Sequence, residues 1–516
     1  MKSTHQLYLT IILLMATTLL ASCEKFLNER PSKGTSVLIQ NASDLNALLE
    51  NYNSFSQENN NITIHGTDDN GFSVALYNAR PTTFTIPQIE FTLWDKTDLA
   101  NRDVSDFSGT NFWTSEYNKV FNANLVLLHV DKVTGTAEEK ANLKADAHLI
   151  RAYSYWQLAT AYCLPYTEAN KNEPGLPIKT TPDYEVPARS SLAETYQLIE
   201  ADLAEALKIT VPLVQNGKAR PWRANTAAAN AFAARYYLNR NDYSKALTYA
   251  NASLSLYSTL INYNTEMSFG TASTVSIDPG TANARTVTLT FPYMHDREAS
   301  FDPTDAFAWK ELLYYRLIHN TTQWYIPSQS LLSLYDQNND LRYKYHYTQG
   351  FSYRRGMTSP SVDYPGYVFF ADTKILEGPT VAEMVLTKAE CQARIGDFSG
   401  AMTTVNLLYS KRTVTGTAPL AAASQDQAIN VILQERRREM PFAQRWADIR
   451  RFNTNNYAND DVPVITKTFY PYTPSAVQST QPTQQYTLPA NSRRFASPLP
   501  QTDINNSAGA IKQNTY

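Results

Sequence analysis

The sequence predicts an all-α protein built from tetratricopeptide-like helical hairpins, with long irregular insertions and a few short strands. Three observations predict it. Apolar residues recur at the 3.6-residue period over several long stretches. Two helix–turn–helix spacings repeat within those stretches. The intervening segments are rich in Tyr, Pro, Asn and Thr and carry no period. The 516-residue chain holds 33 Tyr, 21 Phe and 7 Trp against only 17 Gly and 3 Cys, and 43% of it is apolar, enough for a large core. With 45 Lys plus Arg against 48 Asp plus Glu the net charge is -3, so no bulk attraction to a polyanion is encoded and nucleic acid is not an expected partner.

At the N-terminus, Lys2 precedes an uncharged run of 14 residues, Leu7 to Leu20, shorter than the roughly 20 that span a bilayer. A basic start, an apolar stretch and then small residues predict a signal peptide over residues 1–22 and a tether over 23–40. From Asp44 to Tyr52, Leu45, Leu48 and Leu49 share a helical face, with Ser43 as the expected N-cap. Residues 53–108 show no clear period. Helices are predicted from Phe112 and over 138–163, where a second apolar stripe (Leu149, Tyr153, Trp156) marks a central, buried helix. Ser191 and Glu194 form a capping box, and Thr226 to Leu238 pairs with Tyr243 to Leu256.

Tetratricopeptide spacing is visible at Ala234, Tyr237, Asn241-Asp242-Tyr243 and Ala246, and again at Ala389, Gly396-Asp397-Phe398 and Ala401. These turns are far apart in sequence, so the hairpins are dispersed rather than tandem. An insertion over 261–372 is rich in tyrosine and holds one β-prone run, Thr286 to Phe291; helices follow over about 381–452, then a polar, proline-rich segment. Residues 41–260 and 261–516 form the N- and C-terminal regions of what is expected to be one unit, 41–516.

Catalytic patterns are missing from the chain. It has no H-E-x-x-H, G-x-S-x-G, phosphate loop, G-x-G-x-x-G or C-x-x-C, and its seven histidines lack ligand spacing, so no enzyme is predicted and no cofactor is expected. Asp68, Asp69 and Asn70 offer oxygen ligands for a structural calcium, but without EF-hand spacing a capped turn is the better reading. Arg436-Arg437-Arg438 is bracketed by Glu435 and Glu439, with Arg445, Asp448, Arg450 and Arg451 beyond; opposite charges at helical offsets predict a salt-bridged structural face. Cys163 and Cys391 sit in apolar helical patterns, as free buried thiols or a disulfide.

The third cysteine is more informative. Leu20-Ala21-Ser22-Cys23 resembles the lipobox of bacterial lipoproteins, in which that cysteine receives a diacylglyceryl group; an ordinary signal peptide beside a coincidental cysteine is the alternative. Cys23 through Phe26, Leu27 and Pro31 is similar to the opening of SusD/RagB lipoproteins, the surface nutrient-binding proteins of Bacteroidota. Trp113, Tyr117 and Phe121-Asn122-Ala123-Asn124, then Arg151 and Gly175-Leu176-Pro177, resemble its next landmarks. Ile326-Pro327-Ser328 with Tyr335, Asp340 and Arg342, the helix Glu435 to Arg451, Pro498-Leu499-Pro500 and Gln513-Asn514 complete the series in family order.

The resemblance implies a SusD-like fold and an outer-membrane, lipid-anchored protein facing the cell exterior. Its implied partner is a SusC-like TonB-dependent barrel, and its implied ligand a glycan or other nutrient captured without bond-making. The same scaffold serving peptides, and a tetratricopeptide-type surface scaffold without a small ligand, are the competing readings. In this family ligand residues come from the segment before the Trp113 helix and from the middle insertion. In this chain those segments offer Tyr77, Trp94, Asn101, Tyr293, Trp309 and Trp324 as aromatic or polar platforms. Core packing is the plainer account of each ring.

Overall fold

In the computed structural model, residues 39–516 are described, apart from 59, 80, 82–83, 101–111, 270–271, 291–308, 320–324, 348–365, 368 and 370–373. Cys23, Asn101, Tyr293 and Trp324 therefore lie outside the described residues. Helices dominate: α1 (Ala42–Leu49), α2 (Phe112–His129), α3 (Ala137–Tyr162), α4 (Leu192–Ala206), α5 (Thr226–Asn239), α6 (Tyr243–Leu256), α7 (Val381–Arg394), α8 (Phe398–Arg412), α9 (Gln425–Glu439) and α10 (Arg445–Phe452).

Local sequence accounts for most of the boundaries. Thr136 with Glu139 and Ser191 with Glu194 close capping boxes at the starts of α3 and α4, so each side chain satisfies a backbone N–H that the first turn leaves unpaired. The cap of α1 is Asn41 rather than Ser43. The Asn41 side chain accepts from the Asp44 N–H at 3.0 Å, the Asp44 carboxylate accepts from the Asn41 N–H at 3.1 Å, and Ser43 merely donates to Asn41. Among the described residues of 53–108, which carry no legible period, the helices run to only five to seven residues (for example Val74–Ala79 and Ile86–Thr92), too short for a period to show.

The two hairpins with tetratricopeptide spacing share one turn geometry. Asn241 (φ 57°) and Gly396 (φ 100°) take the left-handed conformation that reverses the chain. Asp242 and Asp397 then donate their N–H groups to Tyr237 and Gln392, both at 2.9 Å, and cap the next helix. Although the turns are far apart in sequence, α6 packs directly on α7, so α5, α6, α7 and α8 form one continuous stack and the insertion loops out of it. Close packing rests on small residues: Ala227, Ala228, Ala229, Ala231, Ala233 and Ala234 of α5 are all fully buried. Helix α3 is central, with every residue from Leu149 to Tyr162 buried. Cys163 and Cys391 are buried free thiols.

Strands are short and peripheral. Ala272–Ile277 pairs antiparallel with Arg285–Thr290, which places the β-prone run as the second arm of a hairpin. Gln57–Glu58, Leu317–His319 and Lys374–Leu376 make a three-stranded sheet. Near the C-terminus Val464–Phe469 pairs with Gln484–Pro489 around a smaller hairpin, Tyr472–Thr473 with Ala476–Val477. Among the described residues no helix is long and apolar enough to cross a membrane.

The arginine-rich helix is a buried lattice, which extends the predicted salt-bridged face into the core. Arg342 pairs with Asp340 and Glu435, both at 2.8 Å, and with Glu439 at 2.9 Å, while Arg412 pairs with Glu439 at 2.8 Å and Glu311 at 2.7 Å. Arg451 joins Glu390 at 2.6 Å to Asp448 at 2.8 Å, and Arg436 reaches Asp448 at 2.9 Å. Burial opposes ionisation of Glu439, yet Arg412 and Arg342 beside it hold its carboxyl down at about 2.

The same arginines bind backbone. Arg412 donates to the Ile261 carbonyl at 2.7 Å, Arg438 to Leu334 at 3.0 Å, and Arg235 to Glu377 at 2.7 Å; Arg450 takes Phe495 at 3.0 Å and Cys163 at 2.9 Å. Irregular segments leave carbonyls that no ladder satisfies, and buried guanidinium groups supply the donors.

Candidate functional site

The aromatic residues singled out in sequence separate into two kinds. Trp94 is fully buried, against its expected role as an exposed platform. It follows helix Ile86–Thr92 in a left-handed conformation (φ 60°) that turns the indole inward beside Trp446, where its Nε1–H donates to the Gly66 carbonyl at 2.9 Å. A Cβ on Gly66 would lie 3.1 Å from Trp446 and 3.3 Å from Trp94, so the glycine admits both rings. Trp309 is likewise a core residue, 3% exposed, with ring centroids 4.9 Å from Phe369 and 6.3 Å from Tyr263. Burial of such a large apolar surface outweighs display on the outside.

Asp68, Asp69 and Asn70, the residues with oxygen ligands in a turn, are each engaged by protein groups. Asp68 accepts from Arg445 at 2.7 and 2.8 Å, and Asp69 accepts from Arg437 at 2.7 Å and from the Phe442 N–H at 2.9 Å. Burial disfavours the charged form of Asp68, but Arg445 and Arg437 bring its carboxyl down to about 2. Guanidinium groups thus hold the oxygens a cation would take, and the Asn70 amide donates to the His65 carbonyl at 2.9 Å. This junction ties the Ser328 turn to α9 and α10: the Ser328 hydroxyl donates to the Asp68 carbonyl at 2.6 Å.

Tyr77 is different. It is half-buried on helix Val74–Ala79, and its ring lies 5.2 Å from Phe469, 6.5 Å from Phe84 and 6.2 Å from Tyr470. Phe72 closes the group at 4.7 Å from Phe469 and 5.0 Å from Phe84, and a stacked pair, Tyr472 and Tyr486 at 5.9 Å, extends it. Apart from Phe469, these rings are half-buried: each packs part of its surface on the cluster and leaves the rest open.

Polar groups edge the cluster. The exposed Asn78 amide donates to the Tyr470 hydroxyl at 3.0 Å, Gln484 donates to Tyr486 at 2.7 Å, Tyr486 donates to the Tyr470 carbonyl at 3.0 Å, and Tyr472 donates to Asp95 at 3.0 Å. Burial raises the Tyr77 and Tyr486 hydroxyls, and burial together with Asp95 raises Tyr472, so the phenols stay neutral donors. Rings with free faces and an amide and hydroxyl rim suit an uncharged, polyhydroxylated ligand with apolar C–H faces.

Three of the six named platforms, Tyr77, Trp94 and Trp309, are among the described residues, and of these three Tyr77 alone lies in an accessible aromatic group. Sequence reasoning missed its partners Phe72, Phe84, Tyr470, Tyr472 and Tyr486. Phe72 and Phe84 are near neighbours of Tyr77 in sequence; the signal for Tyr470, Tyr472 and Tyr486 was the aromatic content of the C-terminal segment, but only the hairpin Val464–Phe469 with Gln484–Pro489 carries those three rings about 400 positions back to Tyr77.

Known proteins give the same fold. A family model described as starch-binding, associating with outer membrane, matches residues 14–238, and the SusD family model matches residues 381–516. A SusD-like protein of Formosa agariphila is 28% identical over 147 residues, a stretch spanning 27% of each chain. A putative sugar binding protein from Bacteroides vulgatus superimposes with a TM-score of 0.61 at 19% identity, over 93% of this chain and 99% of its own. A SusD superfamily protein from Bacteroides thetaiotaomicron does so with a TM-score of 0.60 at 18% identity, over 92% of this chain and 100% of its own. The family is described by binding and by association with the outer membrane, not by catalysis. The structures share its fold, and with two models of one family matched in order over residues 14–238 and 381–516 the chain belongs to the SusD/RagB family.

Proposed function

We propose that this protein captures a neutral glycan at the cell surface and passes it to a SusC-like TonB-dependent barrel in the outer membrane. It makes and breaks no bond. Acyl chains on Cys23 anchor it, each buried CH₂ contributing about 0.8 kcal/mol, and the tether leaves the folded body outside the membrane. The observation that carries the reading is the half-buried tyrosine group around Tyr77 and Tyr470, with its rim of amides and hydroxyls and one carboxylate, Asp95, taken up by Tyr472. Stacking on open ring faces gives modest affinity, which suits a carrier that must release its cargo.

The test is a panel of neutral oligosaccharides titrated into the lipid-free mature chain. Tyr77→Ala with Tyr470→Ala is expected to weaken the best ligand at least tenfold, about 1.4 kcal/mol, with the melting curve little changed. Unaltered binding in the double variant, or hydrolysis of any oligosaccharide, overturns the reading. For the anchor, Cys23→Ala is expected to move the protein from the membrane to the soluble fraction.

A further inference from the structure

A second cavity, built from other elements than the tyrosine group, opens where the helical hairpins present their turns. It has a volume of about 460 Å³ and lies between the segment after α3 (Tyr166), the α5–α6 turn (Arg240, Tyr243), the end of α7 (Arg394) and the residues after α10 (Asn456, Tyr457). Phenol rings, amides and guanidinium groups line it with Thr167, Thr454 and Glu168, whose carboxylate is paired with Lys171 at 3.2 Å, and Ile429 is the one aliphatic side chain. Its size falls in the range of small-molecule sites, and its lining rejects a lipid or other apolar ligand.

The two arginines at this cavity are not equivalent. Arg394 donates to Glu390 at 2.7 Å and to Asp460, and lies over the Tyr243 and Tyr457 rings at 4.8 and 5.6 Å, so its charge is matched. Arg240 lies over Tyr166 at 3.6 Å and near Tyr196 at 5.0 Å. Among the described residues its guanidinium has no ion pair and no side-chain hydrogen bond. Elsewhere in the protein half-buried and buried arginines are matched to carboxylates or carbonyls, as in the α9–α10 lattice. Arg240 instead keeps its planar fork of donors, held in place by stacking, for a group that comes from solvent.

We propose that this cavity binds a sugar acid. The ligand's carboxylate pairs with the Arg240 guanidinium, its ring lies among the tyrosines, and its hydroxyls meet the amides at the mouth, including the exposed Asn456. The site is separate from the neutral-glycan group and stands or falls independently of it.

The experiment titrates the lipid-free mature chain with sodium D-galacturonate and with D-galactose, and maps the site by amide chemical-shift changes. Galacturonate is expected to bind at least about tenfold more tightly than galactose, the difference a single charge-assisted pair supplies. Shifts are expected at 166–168, 240–243 and 454–457. Arg240→Gln is expected to abolish the preference. Should that variant lose its fold with the Tyr166 and Tyr196 stacking, Asn456→Asp at the exposed mouth is expected to weaken galacturonate several-fold and galactose little. Tyr77→Ala with Tyr470→Ala is expected to leave galacturonate binding intact. Equal affinity for the two sugars, no galacturonate binding in the millimolar range, shifts elsewhere, or indifference to both cavity variants would overturn the proposal.

Discussion

Helix α5 and the pair α9–α10 are both buried, but they are built from opposite chemistry. Along α5 six alanines are fully buried, and the neighbouring α6 and α7 come close enough to bury Ala246 and Ala389 as well. Along α9 and α10 the buried positions include six charged ones, Glu435, Arg436, Arg438, Asp448, Arg450 and Arg451, beside apolar residues such as Ile429, Ile432, Trp446 and Ile449. The difference follows from what each packs against. Helices have satisfied their own backbones, so helix against helix is met mostly by small side chains and apolar contact, with Arg235, paired to Glu383 of α7, as the one charged residue of α5. The α9–α10 pair meets the insertion and the C-terminal segment, whose carbonyls have no ladder partner, and only long cationic side chains reach and satisfy them. Carboxylates are then required to neutralise those cations where water is excluded.

The comparison is broken most severely by removing one cation from the lattice. Arg412→Met removes the cation paired with Glu311, takes from Glu439 one of its two guanidinium partners and leaves the Ile261 carbonyl without its Arg412 donor; about 3–5 kcal/mol of stability is expected to be lost in denaturant titration. The same variant has a pH signature. Glu439 has a folded-state value of about 2 against an ordinary 4.5, so it contributes stability above 4.5 that is lost as pH falls from 4.5 towards 2. That acid-side loss is expected to be smaller in Arg412→Met than in the wild type, because one of the two cations that depress Glu439 is gone while Arg342 stays. An identical slope in both would show that Arg412 does not act on Glu439.

On the alanine side the expected damage is steric. Ala234→Leu overfills the fully buried α5 contact and is expected to cost about 1–3 kcal/mol, with no change in the acid slope. The smallest effect belongs to the turns. A Cβ at Gly396 meets nothing within 4 Å, so Gly396→Ala pays only the backbone strain of φ 100°, about 1 kcal/mol in a melting experiment. A much larger loss would mean that the turn carries contacts beyond its backbone.

Much of the scaffold was legible because its information is local. The cap at Ser191, the stripes of α3 and α4, and the two Asp-led turns are each written within a few residues. The candidate site was less legible. A tryptophan's composition and neighbourhood are the same whether its indole points in or out. For Trp94 a single left-handed residue and the space at Gly66 decided the matter. Asp68 and Asp69 read as oxygen ligands until Arg437 and Arg445 arrived from another region of the chain.

By itself, then, the sequence determined the helical class, the hairpin turns, the near-neutral charge and the family motifs, since periodicity, capping and composition depend on neighbours along the chain. Tertiary structure alone decided which aromatics remain accessible, which carboxylates are already occupied by arginine, and where the cavity beside Arg240 forms. Those properties arise from contacts between residues hundreds of positions apart, and burial and charge pairing depend on distance in space rather than on order in the chain.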